Sequence, residues 1–535
     1  MPTLHFKGKT FVQNHHLAVK YHQLLPNKEL SLTDKVSLHD NLIIQGDNLI
    51  ALKSLLPTYS GKVKCVCVDP PYNTGQEGWA YNDNVNTPMI QEWLGKVVDK
   101  EDLTRHDKWL CMMMPRLKLL KELMCEDGVI LIFCDDNEQH NLKSLMNEIF
   151  GEDNFISTFL WKKKSTSTNV EGVQVSALMD YVHIYAKTPQ GRMKQRVKLK
   201  ESRQYPLNDK EGNYRLTIIE KKDAGSYKRD TMKFKILGQK PREGKRWQIG
   251  EDTAKKYEEK NRFLIDNGIV KLKIYDFEDK DTFSAQPNLL DDFGSTESAS
   301  KLVNEDIFNE PELFDNPKPV ELIKHLISIT TNNDSIVLDS FSGSGTLAHS
   351  VLELNSEIPE SNRKFILVET EDYANEITAE RVRRVIKGVK SSKNEKIKKG
   401  LGGTFSYFQL GETIEMESLL KGKNLPSFTE FARYLFYTAT GEEFKAPPNL
   451  PKGEASHSPV FIGESSNYAV YLLYHPDIEW LKRNALTLEG CQSLPKFKSK
   501  QRLVFAPCKY VDDHTLLEFR IDFCQLPYEI YRIQK

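Results

Sequence analysis

Asp69-Pro70-Pro71-Tyr72 follows an apolar run, Val63–Val68, and precedes Asn73. A strand of that kind delivers a carboxylate at its C-terminal end, where open α/β sheets collect ligands. Two prolines lock the next turn and remove two backbone donors, leaving carbonyls available as acceptors. An aromatic ring comes at once. Carboxylate and carbonyl can accept both hydrogens of a planar amine while the ring stacks on its face. The plainer reading is an Asp-Pro turn followed by a core tyrosine.

A second constellation is Leu338-Asp339-Ser340-Phe341-Ser342-Gly343-Ser344-Gly345-Thr346, read as strand, glycine-rich turn and helix start. Leu347, Ala348, Val351 and Leu352 fall on one helix face. Glycines let a ligand approach the backbone, and a helix N-terminus offers N–H groups to an anion. The pattern is neither GxGxxG nor a P-loop, because no GKS or GKT follows. The next strand ends in Glu369, placed to accept hydrogen bonds from ribose hydroxyls. A nucleoside with a short carboxylate-bearing arm fits, and S-adenosylmethionine is such a molecule. The alternative is a structural strand–turn–helix junction.

Two smaller signals have two readings each. Lys318, in Phe314-Asp315-Asn316-Pro317-Lys318-Pro319, either meets the cofactor carboxylate or caps the helix that follows. Asp47, in Gly46-Asp47-Asn48, either accepts from the cofactor adenine or serves as a plain N-cap. His183 lies in an apolar strand and reads as core, and His15-His16 lacks a metal-ligand pattern. No GxSxG or Cys-His signature supports nucleophilic catalysis, and no metal site is expected.

The elements that must hold these residues alternate strand and helix, which indicates an α/β fold. Strands are expected at Asn41–Ile44, Val63–Val68, Val129–Cys134, Tyr181–Tyr185, Ser335–Leu338 and Phe365–Val368. Between 105 and 125 apolar residues recur at helical spacing, and Pro115 should kink that helix or start another. Residues 191–250 hold 18 Lys+Arg and 7 Asp+Glu, a net of +11, whereas 251–330 hold 10 and 18, a net of −8. That split suggests an inserted domain that meets a polyanion, followed by an acidic return to the core.

The whole chain is nearly neutral, with a formal charge of −1 over 535 residues, so only local charge points to a partner. Hydrophobic residues at 39% and charged residues at 28% exclude wholesale disorder. No apolar run reaches the ~18 residues of a membrane span. The start, MPTLHFKGKTFVQNHH, has no apolar signal core, so a cytoplasmic protein is expected. Eight cysteines without a CxxC pair suit free thiols, with Cys65 and Cys67 in a core strand.

Taken together, Asp69–Tyr72 and Phe341–Gly345 resemble the paired DPPY and FxGxG signatures of amino-methylating DNA methyltransferases, in the order of their beta group. MPTLHFKGK, NLIIQGDNLIALKSLLP, VDPPYNTG, YNDN at 81–84 and FDNPKPVELIKHL resemble the modification (Mod) subunits of type III restriction–modification systems. The resemblance covers roughly residues 1–390 apart from the insert; SYFQLGE and FCQLPYEI carry a weaker one in the tail.

The resemblance implies a Rossmann-like class I methyltransferase mixed sheet, an inserted target-recognition domain and a C-terminal α+β region. The expected divisions are an arm at 1–40, the catalytic part of the core at 41–190, target recognition at 191–310, the cofactor-binding part at 311–400, and a tail at 401–535 for dimer or partner contacts. Asp69 and Pro70 would bind the target amine, with Pro71 fixing the turn and Tyr72 stacking on a flipped base. Phe341 and Gly343 would line the methionine side of S-adenosylmethionine, with Asp339 nearby and Gly345 and Thr346 also cofactor-binding. Glu369 would hold the ribose, Asp47 the adenine and Lys318 the carboxylate.

The implied reaction is methylation of adenine N6 in double-stranded DNA, with a homodimer and a Res-type helicase–nuclease as implied partners. Cytosine-N4 methylation, RNA methylation and a non-catalytic DNA-recognition subunit remain open. Lys162, Lys163, Lys164, Lys221, Lys222 and Arg229 are candidates for phosphate contacts, against the plainer reading of a solvated basic face. Trp79, Tyr81 and Trp93 after the catalytic turn either close over the flipped base or pack on the surface.

Overall fold

The computed structural model describes residues 3–74, 105–167, 174–198, 203–223, 229–414, 425–451, 455–495 and 499–526. Trp79, Tyr81 and Trp93 lie outside the described residues. Two units are distinguished, 194–286 and the rest of the chain.

The larger unit is built on a ten-stranded sheet. Its strands, labelled in chain order, are β1 (His22–Leu32), β2 (Leu42–Gln45), β3 (Val63–Val68), β4 (Met124–Cys134) and β5 (Phe155–Lys162). The remaining five are β6 (Met179–Ala186), β7 (Leu289–Leu290), β8 (Ile336–Asp339), β9 (Lys364–Glu369) and β10 (Phe405–Thr413). They lie in the order β1-β10-β2-β9-β8-β3-β4-β6-β5-β7. The run from β10 to β4 is parallel throughout. Strands β1 and β6 join it antiparallel.

Parallel strands are covered on both faces, so they read as nearly continuous apolar runs. In β3, Val66 and Val68 enter one core layer while Cys65 and Cys67 enter the other. In β4, Ile130 and Ile132 alternate in the same way with Val129, Leu131 and Phe133. The first layer is closed by α1 (Asn48–Tyr59), α2 (Arg105–Leu123) and α3 (Gln139–Phe150). The second is closed by α4 (Val320–Thr330), α5 (Thr346–Glu357) and α6 (Glu380–Lys387). Helix α2 runs unbroken through Pro115. Burial of its apolar residues from Trp109 to Leu123 outweighs the backbone hydrogen bond that proline forgoes.

The chain leaves β8 through α5 toward β9, and leaves β3 through α2 toward β4. These connections depart in opposite directions from neighbouring strands, which makes the β8–β3 boundary the topological switch point where a crevice opens.

Two sequence expectations are revised. The arm at 1–40 contributes an edge strand, β1, whose Pro26 and polar residues hid it from a pattern search. The chain returns to the larger unit at Pro287, inside the acidic stretch 251–330 and before the end of the expected 191–310 division. Leu289 and Leu290 pair with β5, and Val303, Ile307 and Phe308 are buried in the core of the larger unit. After β10, the tail forms a helix, Phe428–Thr440, and a four-stranded sheet of Val460–Glu464, Tyr468–Leu472, Gln501–Ala506 and Ile521–Gln525.

The smaller unit has a four-stranded antiparallel sheet, Phe263–Asp266, Ile269–Tyr275, Gly212–Ile218 and Leu207–Asp209, and its own core around Trp247 and Ile236. Part of its basic surplus is paired internally: Arg203 and Arg215 reach Asp279 at 2.6 and 2.7 Å. Lys221, Lys222 and Arg229 are exposed.

Candidate active site

At the C-terminal ends of β3 and β8 a cavity of about 1250 Å³ opens, and both sequence constellations line it. The acid turn is held from behind. Trp109 of α2 donates its indole N–H to the Pro71 carbonyl at 2.7 Å. Asn73 adopts a left-handed backbone, φ 60°, that terminates the turn. Its side-chain amide donates to Glu138 Oε1 at 2.5 Å and to the Arg105 carbonyl at 3.2 Å.

Glu138 is fully buried and also binds His106 Nδ1 at 2.7 Å and Asn141 Nδ2 at 2.8 Å. This carboxylate ties the acid turn to the starts of α2 and α3. Sequence reasoning missed it. The available signal was a run of acids, Asp135-Asp136-Asn137-Glu138, at the end of a parallel strand.

Lys318 joins the two constellations. Its backbone carbonyl accepts from Thr346 Oγ1 at 3.3 Å, and its ammonium donates to Asp69 Oδ2. The rings of Tyr72, Phe133 and Trp161 surround that ammonium at 5.2, 5.3 and 5.8 Å, within cation–π range. Lys318 was expected at the carboxylate end of a cofactor; the structure brings it to Asp69. Tyr72 is half-buried with its hydroxyl enclosed, and desolvation together with the negative charge of Asp69 and Asp180 holds its phenol far above the ordinary value. Asp180 of β6 lines the same cavity and accepts from Lys163 Nζ at 2.6 Å. Burial raises its carboxyl above the usual range. Lys164 lies exposed at the cavity edge and Lys162 is half-buried at the end of β5.

The glycine turn is shaped by backbone demand. Gly343 and Gly345 have φ of 48° and 79°. A Cβ on Gly343 would stand 3.1 Å from Phe314 Cζ, so a side chain there crowds the cavity wall. The Gly343 N–H donates to Glu369 Oε2 at 2.7 Å, and the Glu371 N–H donates to Oε1 at 3.0 Å. Glu369 thus fixes the turn, yet a carboxylate has about four acceptor positions, so it can still accept from hydroxyls. Thr378 Oγ1 donates to the Gly343 carbonyl at 2.5 Å. The buried Arg381 donates to Ser344 Oγ at 2.7 Å and Thr346 Oγ1 at 2.9 Å. Thr378 and Arg381 were not anticipated, because both brace the turn from behind without a sequence motif.

Asp47 serves as the N-cap, the plainer of its two expected roles. Its Oδ1 caps α1 through the N–H groups of Leu49 and Ile50 at 2.8 and 3.2 Å, while Oδ2 lies 3.8 Å from Arg116 and lines the cavity. Asn48 donates to the Ser340 carbonyl at 2.8 Å and accepts from Arg116 Nε at 2.5 Å, linking α1, α2 and the glycine turn. The lining suits a nucleoside with an amino-acid arm: carboxylates at Asp47 and Glu369, the rings of Phe314, Phe341 and Tyr373, and a glycine backbone without room for Cβ. Lys221, Lys222 and Arg229 belong to the smaller unit.

Asp339 is buried, with Oδ1 accepting from the Phe341 N–H at 2.9 Å. Burial, helped by the charges of Asp69 and Glu369, pushes its pKa up to about 8. A carboxyl raised in the folded state stabilises it most below its unfolded pKa of about 4, and that contribution is lost as pH rises to the folded value. Asp339→Asn keeps an acceptor for Phe341 and removes the titration. In urea melts its stability relative to the unsubstituted chain should rise between pH 4 and pH 8; a pH-independent difference would contradict the burial argument.

A family model described as DNA methylase (N6_N4_Mtase) matches residues 63–380. The chain is 32% identical over 389 residues to the type III restriction-modification enzyme StyLTI Mod subunit of Salmonella typhimurium, covering 68% of this chain and 57% of that protein. It is 31% identical over 409 residues to the EcoP15I Mod subunit of Escherichia coli, covering 65% and 62%. It is 30% identical over 369 residues to the type II methyltransferase M.KpnI of Klebsiella pneumoniae, covering 64% and 83%. The chain thus spans about 60% of the length of the two type III relatives. The match over more than half of its residues, on both sides of the insert and through both constellations of the cavity, places this chain in the DNA methylase family.

Proposed function

We propose that the chain transfers a methyl group from S-adenosylmethionine to the exocyclic amine, N6, of adenine in duplex DNA, as the modification subunit of a type III-like restriction–modification system. One observation carries the reading: in a chain of the DNA methylase family, the acid turn after β3 and the glycine turn after β8 open onto one cavity.

The amine of adenine is a poor nucleophile because its lone pair is delocalised into the ring. Asp69 and the Pro70 carbonyl accept its hydrogens, which favours tetrahedral nitrogen and localises the lone pair. Tyr72, fixed through Asn73 and Glu138, presents a ring to the base face. Asp47, Glu369, Phe341 and the backbone of Gly343 to Thr346 would hold the cofactor, which supplies an activated methyl group on sulfonium. The contribution of the chain is position and electrostatics rather than strong base catalysis. Asp69 acts first as an acceptor and afterwards as a proton sink, since the methylated nitrogen loses its proton readily.

Within a duplex the amine is paired, so the base must be flipped out at a cost of about a few kcal/mol. Phosphate contacts by Lys and Arg offset that cost and make binding fall with salt. Lys162 and Lys164, together with the exposed Lys221, Lys222 and Arg229 of the smaller unit, support such contacts. The named relatives support association with a Res-type helicase–nuclease, and the tail after β10 offers surface for that subunit or for a second copy. No helix among the described residues is long and apolar enough to cross a membrane.

Two substitutions separate chemistry from binding. Asp69→Ala should lower labelled-methyl transfer to DNA by about 10²- to 10³-fold, the scale for losing one preorganised hydrogen-bonding group, with cofactor affinity by calorimetry nearly unchanged. Normal turnover by that variant would refute the role of Asp69. Gly343→Ala should do the reverse, weakening cofactor binding more than the rate at saturating cofactor. Unchanged cofactor affinity would remove Gly343 from the site.

A further inference from the structure

Lys163 belongs to a basic triplet that patterning assigns to phosphate contacts, yet it does not sit as a solvated charge. It shares strand parity with the buried Trp161, and its backbone N–H continues the ladder to the Leu178 carbonyl at 2.9 Å. Its ammonium turns into the cavity and rests on Asp180, whose side chain is only 3% exposed. Asp180 stands opposite Trp161 in the β5–β6 register, and Trp161 is part of the aromatic ring around Lys318. The pair therefore lines the same cavity as the acid turn.

A buried carboxylate bound to a lysine is no stabilising device in itself, because desolvation offsets the attraction. A phosphate contact does not need it either. What it does provide is a fixed ammonium. Of its three hydrogens one is bonded to Asp180, and among the described residues the other two have no side-chain acceptor. A purine amine is flanked by ring acceptors, N1 on one side and N7 beyond C5 on the other.

Resting on the functional reading above, we infer that Lys163, held by Asp180, donates a hydrogen bond to a ring nitrogen beside the amine being methylated. Lys163 then reads the target base, and Asp180 is a positioning residue that acts through it. The contact orients the ring so that its amine meets Asp69 and the Pro70 carbonyl together.

The test uses the full chain and oligonucleotides in the sequence context that methylated-base sequencing returns, with adenine, 1-deazaadenine or 7-deazaadenine at the target. Loss of a hydrogen bond from a charged donor corresponds to about 10- to 100-fold. The unsubstituted chain should lose that factor in kcat/KM on one deaza base. Lys163→Met should be slower on adenine by a similar factor and nearly indifferent to the same deaza change, and Asp180→Asn should show a partial loss of discrimination. A general structural defect would slow all three substrates equally and leave the discrimination intact, which overturns the inference. Equal rates of the unsubstituted chain on all three substrates also overturn it, with no variant needed. Absence of any transfer to adenine overturns the functional reading and this inference with it.

Discussion

Residues Asp69 and Asp339 stand far apart in the chain and end neighbouring strands because β8 pairs in parallel with β3, Val337 beside Cys65 and Leu338 beside Val66. Everything in the cavity depends on that pairing. It aligns the two strand ends at one edge of the sheet, and the opposed crossovers through α2 and α5 leave the crevice above them open. Lys318 then bridges what the sheet has aligned, with its backbone against Thr346 and its ammonium on Asp69. A chain arranged this way tolerates a large insertion, because both ends of the interruption return to fixed strands and loop closure grows only slowly with length.

The electrostatics follow from burial. Asp69, Asp180, Asp339 and Glu369 lie around one cavity, and three of them are buried enough that their carboxyls are raised. Two ammonium groups, Lys318 and Lys163, pair with Asp69 and Asp180 and offset part of that negative charge. A pocket of this kind rewards a ligand that brings hydrogen-bond donors and positive charge to the acid turn. An aromatic amine approaching a sulfonium does both, and the rings of Tyr72, Phe133 and Trp161 already lie around a cation at that place.

Much of this was legible in the sequence, for physical reasons. Parallel central strands are apolar on both faces, so Val63–Val68 and Phe365–Val368 announced themselves, and proline and glycine marked the two functional turns. The edge strand β1 was invisible because its residues are neither uniformly apolar nor alternating. Pro115, expected to kink its helix or start another, lies inside one continuous helix whose apolar residues are buried around it. Glu138, Thr378, Arg381 and Asp180 were missed because each acts through a contact from a distant segment. Lys318 was expected at the carboxylate of a cofactor and meets Asp69, a contact that depends on the β8–β3 pairing and that no local pattern encodes.

The central claim is that one pocket sets an adenine amine against a methyl donor. Sequencing of modified bases in DNA from cells carrying the gene tests it most directly. The predicted result is N6-methyladenine at one recurring sequence context, absent from cells without the gene. Unmodified DNA, or methyl groups found only on cytosine, would contradict it.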